Sequence, residues 1–307
     1  MIGLLLATWA GLQPGILAAT DAGLKPGLRA VAHFDKIESK KLVPMLQEVV
    51  RFPTIAGNDD AFADQKKWLM KTASDLGLVA RDAGLVTEIE LPPSKPTKNP
   101  PILGLVVHGD VQPVDADAWS DPPFSAVVKE SVIYGRGTAD DKGPLVQALL
   151  AMHALKESGA PRTHLIRLIV GSDEESSNKD IASYLATHKP PDYSLVLDSA
   201  FPVVAGEKAW QALAVSTPLK REGVTSNKPY EVSDIMAGLA ASIVPDHAEV
   251  TLVWKEGQPD WQPLAHDLKA YKMPEGTRLV TGSLDKPRQL KVVAYGVSAH
   301  AGVNIEG

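Results

Sequence analysis

The chain has 307 residues, 44% of them apolar and 22% charged, with a formal net charge of −6. That balance suits one large or two ordinary globular domains, and a negative surface without a Lys/Arg run argues against nucleic acid as a partner. Cysteine is absent, which excludes disulfides, thiolate zinc sites and a cysteine nucleophile, so any metal must be held by His and carboxylates.

In chain order, the segment Ile2 to Leu12 is apolar and Gly15 to Thr20 is small and apolar. Such a pair resembles the hydrophobic and cleavage regions of a secretory signal and is too short to span a bilayer. The first positive charge is Lys25, so the usual basic start is missing. The expectation is a signal peptide over residues 1–20 and a periplasmic or secreted protein, with the cytoplasm as the alternative. The competing reading is a misplaced start codon or an ordinary apolar extension.

Lys36 to Arg51 carries apolar residues at near-helical spacing and ends at Phe52-Pro53. Ala61 to Leu76 predicts a second helix, stopped by Gly77. Val86 to Leu91 predicts a strand, followed by a Pro/Lys loop over 92–101. Ile102 to Val107 is a continuous apolar run, the mark of a strand buried on both faces. A helix over Pro144 to Glu157, a strand over His164 to Val170, a helix over Lys179 to His188 and a strand over Tyr193 to Leu197 follow. This alternation predicts an α/β fold with a largely parallel sheet and helices on both faces.

After Trp210 the texture changes. Val232 to Ile243 and Leu264 to Tyr271 read as helices, Ala248 to Trp254 and Leu290 to Tyr295 as strands. A smaller α+β domain is therefore expected over 207–307, after a larger one over 21–206.

Three of the expected buried strands run into acidic or imidazole groups: His108-Gly109-Asp110, then Asp173-Glu174-Glu175, then Asp198. Ligands of open α/β sheets bind beyond the carboxyl ends of the strands. Carboxylates gathered there repel one another unless a cation sits between them. Two residues beyond His108, Asp110 can accept the second ring N–H and fix the tautomer that faces a metal. Asp140 and Asp141 lie in the glycine-rich YGRGTADDKGP, where one Asp could bridge two cations about 3.5–4 Å apart. Glu174 and Glu175 are adjacent, so one could bind metal while the other serves as a base. Each piece alone has a plain structural reading: a core His beside a turn Asp, a polar turn, a solvated acidic turn. Their order and placement together carry the inference.

HGDVQPVD, W-x-x-x-PF at Trp119 to Phe124, YGRGTADDKGP, SDEESSNKD and DSAFPVVAGEK resemble, in that order, the successive motifs of the zinc peptidases of family M20, nearest its dipeptidase V and carnosinase branch. The match runs in register from about Lys41 to Gly302. The resemblance implies that His108 binds one metal with Asp198, that Asp110 supports His108, and that Asp140 bridges both metals, with Asp141 following across an unusual peptide bond. It implies Glu174 as general base, Glu175 as ligand, and two zinc ions per complete site, replaceable by manganese or cobalt. GVSAHAG, 296–302, and SIVPDHAEVTL, 242–252, resemble the family's inserted lid domain, whose His300 would stabilise the oxyanion and through which a homodimer would form. The expected substrate is a small peptide, with no nucleic acid and no membrane span involved.

One departure stands out. The family's chain returns from the lid to complete the sheet and supply a further metal-binding His, whereas this sequence stops at Gly307 within the lid. Weak metal binding and poor turnover by the chain alone are expected on that ground. The leading reading is a metal-dependent dipeptidase. The alternatives are an N-acyl-amino-acid deacylase or carboxypeptidase of the same family, and an inactive truncated remnant. A simple binding module fits poorly, since it has no use for a base-plus-ligand pair of glutamates.

Overall fold

The apolar runs of the first two hundred residues become the strands of one sheet. The computed structural model describes residues 21–199, 204, 228–238, 243–283, 286, 288–297 and 299–300, and residues 1–20, the expected signal peptide, lie outside them. The chain divides into two units, Met1–Val204 and Ala205–Gly307.

The first unit begins with helix α1 (Asp21–His33), a π-turn (Phe34–Glu38), α2 (Ser39–Val50) and α3 (Asp59–Asp75). The Asn58 side chain accepts the Ala61 N–H at 3.4 Å, and Asp59 and Asp60 lie in the first turn of α3, where its dipole favours anions. At the other end Leu78 N–H bonds the Ala73 carbonyl at 2.8 Å and Gly77 takes a φ of +63°, the left-handed stop that glycine tolerates. Strands β1 (Val79–Ala83), β2 (Val86–Leu91) and β3 (Ile102–His108) follow, then a hairpin of β4 (Val127–Lys129) and β5 (Val132–Tyr134), helix α4 (Lys142–Glu157), β6 (Leu165–Gly171), α5 (Asp180–Leu185) and β7 (Tyr193–Val196).

The sheet order is β1-β2-β6-β3-β7. β3 pairs in parallel with β6 and β7, while β2 is antiparallel to both β6 and β1. Four strands thus point one way and β2 alone opposes them, which makes the sheet mixed but mostly parallel. On one face α2, α3 and α4 contribute Leu46, Val49, Leu69, Ala73, Leu145 and Leu149 to the main core against Ile89, Val107, Leu168 and Val170. On the other face Tyr184 and Ile181 of α5 pack on Val86 and Ile169. Beside them Glu88 and Glu90 are buried, with Tyr184 Oη donating to Glu88 at 2.5 Å and Arg167 to Glu90 at 2.8 Å. The charges on β2 are therefore covered and paired.

The second unit holds β8 (Tyr230–Ala237), β9 (Ile243–Val244), β10 (His247–Trp254), α6 (Gln262–Ala270), β11 (Arg278–Ser283), β12 (Gln289–Tyr295) and β13 (Ala299–His300). Four of the strands form an antiparallel sheet in the order β11-β12-β10-β8, and β9 pairs with β13. The helix expected over Val232 to Ile243 is a correction: residues 232–237 are strand, and 239–242 lie outside the described residues. The edge of β10 captures this segment, whose Tyr230, Val232 and Ile235 suit a pleated surface, so pairing overrides a weak helical period. Among the described residues, no helix is long and apolar enough to cross a membrane.

Candidate metal centre

β3 is flanked by two parallel neighbours, so its C-terminal end and theirs open on the same side. His108 ends β3, and Glu174, Glu175 and Asp198 follow β6 and β7. Asp140 comes from the turn before α4, where the Asp140–Asp141 peptide bond is cis. His108 Nε2 lies 2.9 Å from Asp140 Oδ1, 3.6 Å from Asp198 Oδ2 and 4.0 Å from Glu174 Oε2. Among the described residues, two sets of three ligand atoms gather within 4.8 Å: His108, Glu174 and Asp198, and His108, Asp140 and Glu175. His108 is common to both sets, where the resemblance made Asp140 the bridge. Both glutamates reach ligand positions, so geometry by itself does not divide base from ligand.

Asp110 has a wider reach than the expectation gave it. The His108 Nδ1 proton goes to the Asp110 main-chain carbonyl at 2.9 Å, with the carboxylate farther off at 3.4 Å. That carboxylate also accepts the N–H groups of Glu174 at 3.3 Å and Glu175 at 2.9 Å. β3 has ended at His108, so the alternation that would stack residues two apart no longer holds. A carbonyl only accepts, so Nδ1 carries a proton, and in the neutral ring the Nε2 lone pair is left for a metal. Asp141 is wholly buried and accepts the His108 main-chain N–H at 3.1 Å.

Charges couple strongly here. Burial alone would pull the His108 imidazole down, but hydrogen bonds to Asp110 and Asp140 and their charges push it up to about 12. Burial pushes Glu174 up to about 7, with Asp198, Glu175 and Asp110 adding repulsion against the opposing charge of His108. Glu175 rises through burial and then the charge of Asp140, and burial lifts Asp141 to about 8. Mutually destabilised carboxylates beside one imidazole form an oxygen-and-nitrogen donor set that a divalent cation would satisfy, so these residues fit zinc or a similar ion.

Several supporting residues escaped the sequence reading. Asp180 accepts the N–H groups of Ser172 at 2.8 Å and Asp173 at 3.1 Å. A Cβ on Gly171 would lie 2.2 Å from that carboxylate, which is why glycine ends β6. Asp173, held near 2 by hydrogen bonds from Ser176, Ser177 and the Lys179 N–H despite opposing burial, shapes the loop carrying the two glutamates. Gln112 donates to Glu175 Oε2 at 2.7 Å. Arg136 stacks over Trp119 at 5.7 Å; burial draws its guanidinium down, against the charges of Glu175 and Asp140. Lys142, wholly buried, donates to the carbonyls of Val49 and Phe52 at 3.2 and 2.6 Å. The D-x-x-S-S spacing from Asp173 was the one local signal available, since a short acidic side chain commonly caps N–H and O–H groups three or four residues on. His300 belongs to the second unit, in β13, and its side chain lies outside what is described. The segment Ala205–Lys208, also expected to be part of the motif series, lies outside the described residues.

The fold and this cluster define an α/β protein with a metal-ligand set at the ends of parallel strands. The family model described as "Peptidase family M20/M25/M40" matches residues 104–282, more than half of the chain. The chain belongs to this family. A relative in Staphylococcus haemolyticus (strain JCSC1435), named "Putative dipeptidase SH1171", is 32% identical over 67% of this chain and 44% of its own length. Another in Staphylococcus aureus (strain bovine RF122 / ET3-1), "Putative dipeptidase SAB1611c", is 36% identical over 52% of this chain and 34% of its own. The chain thus spans less than half the length of these relatives. Among solved structures, human carnosine dipeptidase 1 aligns with a TM-score of 0.47 and 20% identity, covering 59% of this chain and 42% of that one.

Proposed function

We propose that this chain carries the metal-binding portion of a dipeptidase that cleaves its substrate with a metal-activated water. The observation that carries this reading is His108 Nε2 within 2.9–4.0 Å of carboxylates from three separate segments. His108, Asp140, Glu175 and Asp198 would hold the metal, zinc by choice of donors, with manganese or cobalt as substitutes. When bound, such ions acidify water and polarise the amide carbonyl. Glu174, with a carboxylate drawn up to about 7, takes the proton from the attacking water and passes it to the leaving amine. Asp110 holds both glutamates by their main-chain N–H groups and so sets the base against the ligand. The second unit serves as the lid, and its His300 holds the developing oxyanion. Dipeptides are favoured as substrates by the names of the two staphylococcal relatives.

The test is hydrolysis of dipeptides by the zinc-loaded chain, run beside N-acetyl and N-succinyl amino acids and the Glu174→Gln variant. Dipeptide turnover that Glu174→Gln lowers by roughly 10²–10⁴-fold, at unchanged zinc affinity, supports the assignment. Cleavage of the N-acyl substrates alone moves it to the deacylase branch. Full activity in Glu174→Gln removes Glu174 from the role of base.

A further inference from the structure

His108 and Asp110 sit where β3 leaves the sheet, on a segment that needs an external hold. Residues 109–111 make three main-chain hydrogen bonds to other segments. Gly109 N–H donates to the Gly171 carbonyl at 2.9 Å, and Val111 N–H donates to the Thr54 carbonyl at 3.0 Å. Thr54 Oγ1 in turn donates to the Gly109 carbonyl at 2.7 Å. Two of the three therefore come from one residue, Thr54, which is wholly buried in the loop after α2.

That loop is itself anchored. Thr54 N–H donates to the Phe52 carbonyl at 2.9 Å, and the same oxygen takes Lys142 Nζ at 2.6 Å. Lys142 stands two residues beyond Asp140, and Asp140 Oδ1 is 2.9 Å from His108 Nε2. The contacts thus close a circuit: Asp140, Lys142, Phe52, Thr54, Gly109, His108 and back to Asp140. It ties the two segments that supply these facing ligands through a third that supplies none.

We infer that Thr54 is a positioning residue for the metal centre: its hydroxyl and carbonyl clamp residues 109–111 and so hold His108 in ligand geometry and Asp110 against the Glu174 and Glu175 N–H groups. The inference rests on the metal-centre reading. Displacing this segment moves the imidazole directly. Through the Asp110 carboxylate it also moves the backbone of Glu174 and Glu175. Ligand constellations lose function when they drift by more than about 0.5 Å, so such a clamp acts on metal affinity as well as on stability.

The experiment is a zinc titration by calorimetry of the metal-free chain and of Thr54→Val and Thr54→Ser, with thermal melts of each. Thr54→Val keeps the shape and loses the donor; Thr54→Ser keeps the donor. The clamp predicts zinc affinity weakened roughly 10–100-fold in Thr54→Val, the range typical of groups that orient ligands, and restored in Thr54→Ser. A lower melting temperature in Thr54→Val with unchanged zinc affinity overturns the inference and leaves Thr54 a stabilising residue only. Should Thr54→Val fail to fold, Thr54→Cys, with its weak S–H donor, is read by the same two outcomes. Failure of the unsubstituted chain to take zinc overturns the metal-centre reading and this inference with it.

Discussion

The two units treat polar side chains in opposite ways. In the first, Glu38, Thr54, Glu88, Glu90, His108, Asp110, Asp141, Lys142 and Asp180 are all buried. Among the described residues of the second, the buried ones are Leu252, Trp254 and Leu290, all apolar. Burying an ionisable group costs several kcal/mol unless partners compensate. The first unit carries that cost in several places, with His108, Asp110 and Asp141 together at the end of β3. The second unit has the economy of a plain antiparallel sheet: paired β10 and β12 strands, an edge-to-face Trp254–Trp261 pair at 5.1 Å, and a β8 edge leaving Val232 and Ile235 exposed. Function and cost are concentrated in the unit with the parallel strands.

Substitution of His108 gives the sharpest contrast. His108→Ala removes the ligand common to both three-residue sets. Zinc affinity should fall more than about 100-fold, beyond the range for orienting groups. Ile235→Lys, on an exposed position of β8, should leave zinc affinity unchanged in the same calorimetric titration. An equal loss from both substitutions would break the division between the units.

Core packing gives the next largest difference. Leu149 is wholly buried between α4 and the sheet, and Leu149→Ala should cost about 2–5 kcal/mol in urea unfolding. Ile235→Ala, at a position 67% exposed, should change stability by no more than about 0.5 kcal/mol.

The smallest effect is one of pH. Glu174 and Asp141 titrate near 7 and 8 in the folded chain, above their ordinary values. A raised folded pKa contributes stability that is complete below the unfolded value and is lost as pH rises through the folded one. The same sign holds for His108, whose contribution declines above its ordinary value and is gone once pH passes about 12. Metal-free protein should therefore melt at a lower temperature at pH 8.5 than at pH 5.5. The gain in melting temperature from zinc should grow over that interval, because metal and protons compete for the same atoms. A zinc gain that shrinks as pH rises would contradict the ligand set.

Much of the first unit was legible in the sequence because its signals are local. Continuous apolar runs marked β3 and β6, near-helical spacing marked α2, Gly77 marked the end of α3 and Pro144 the start of α4, and His108, Glu174, Glu175 and Asp198 stood directly behind strand patterns. Short strands were harder. β1, β4 and β5 are only three to five residues long, with β1 interrupted by Arg81 and Asp82, and β8 carries a pattern that fits helix or strand until β10 pairs with it. Lys142 beside two aspartates reads as a solvated charge, yet it is buried because the carbonyls of Val49 and Phe52, some ninety residues earlier, receive it.

The order of side chains along the chain by itself determined which residues could bind a metal and on which strand ends they would stand. Periodicity and composition act over neighbouring residues, and those features need nothing more. The tertiary structure decided which partners they meet: the Asp110 carboxylate, 3.4 Å from the imidazole, also takes the Glu174 and Glu175 N–H groups, and Thr54 reaches Gly109 across fifty-five positions of sequence. A hydrogen bond depends on distances of a few tenths of an ångström between segments brought together only by packing, and no local pattern encodes that.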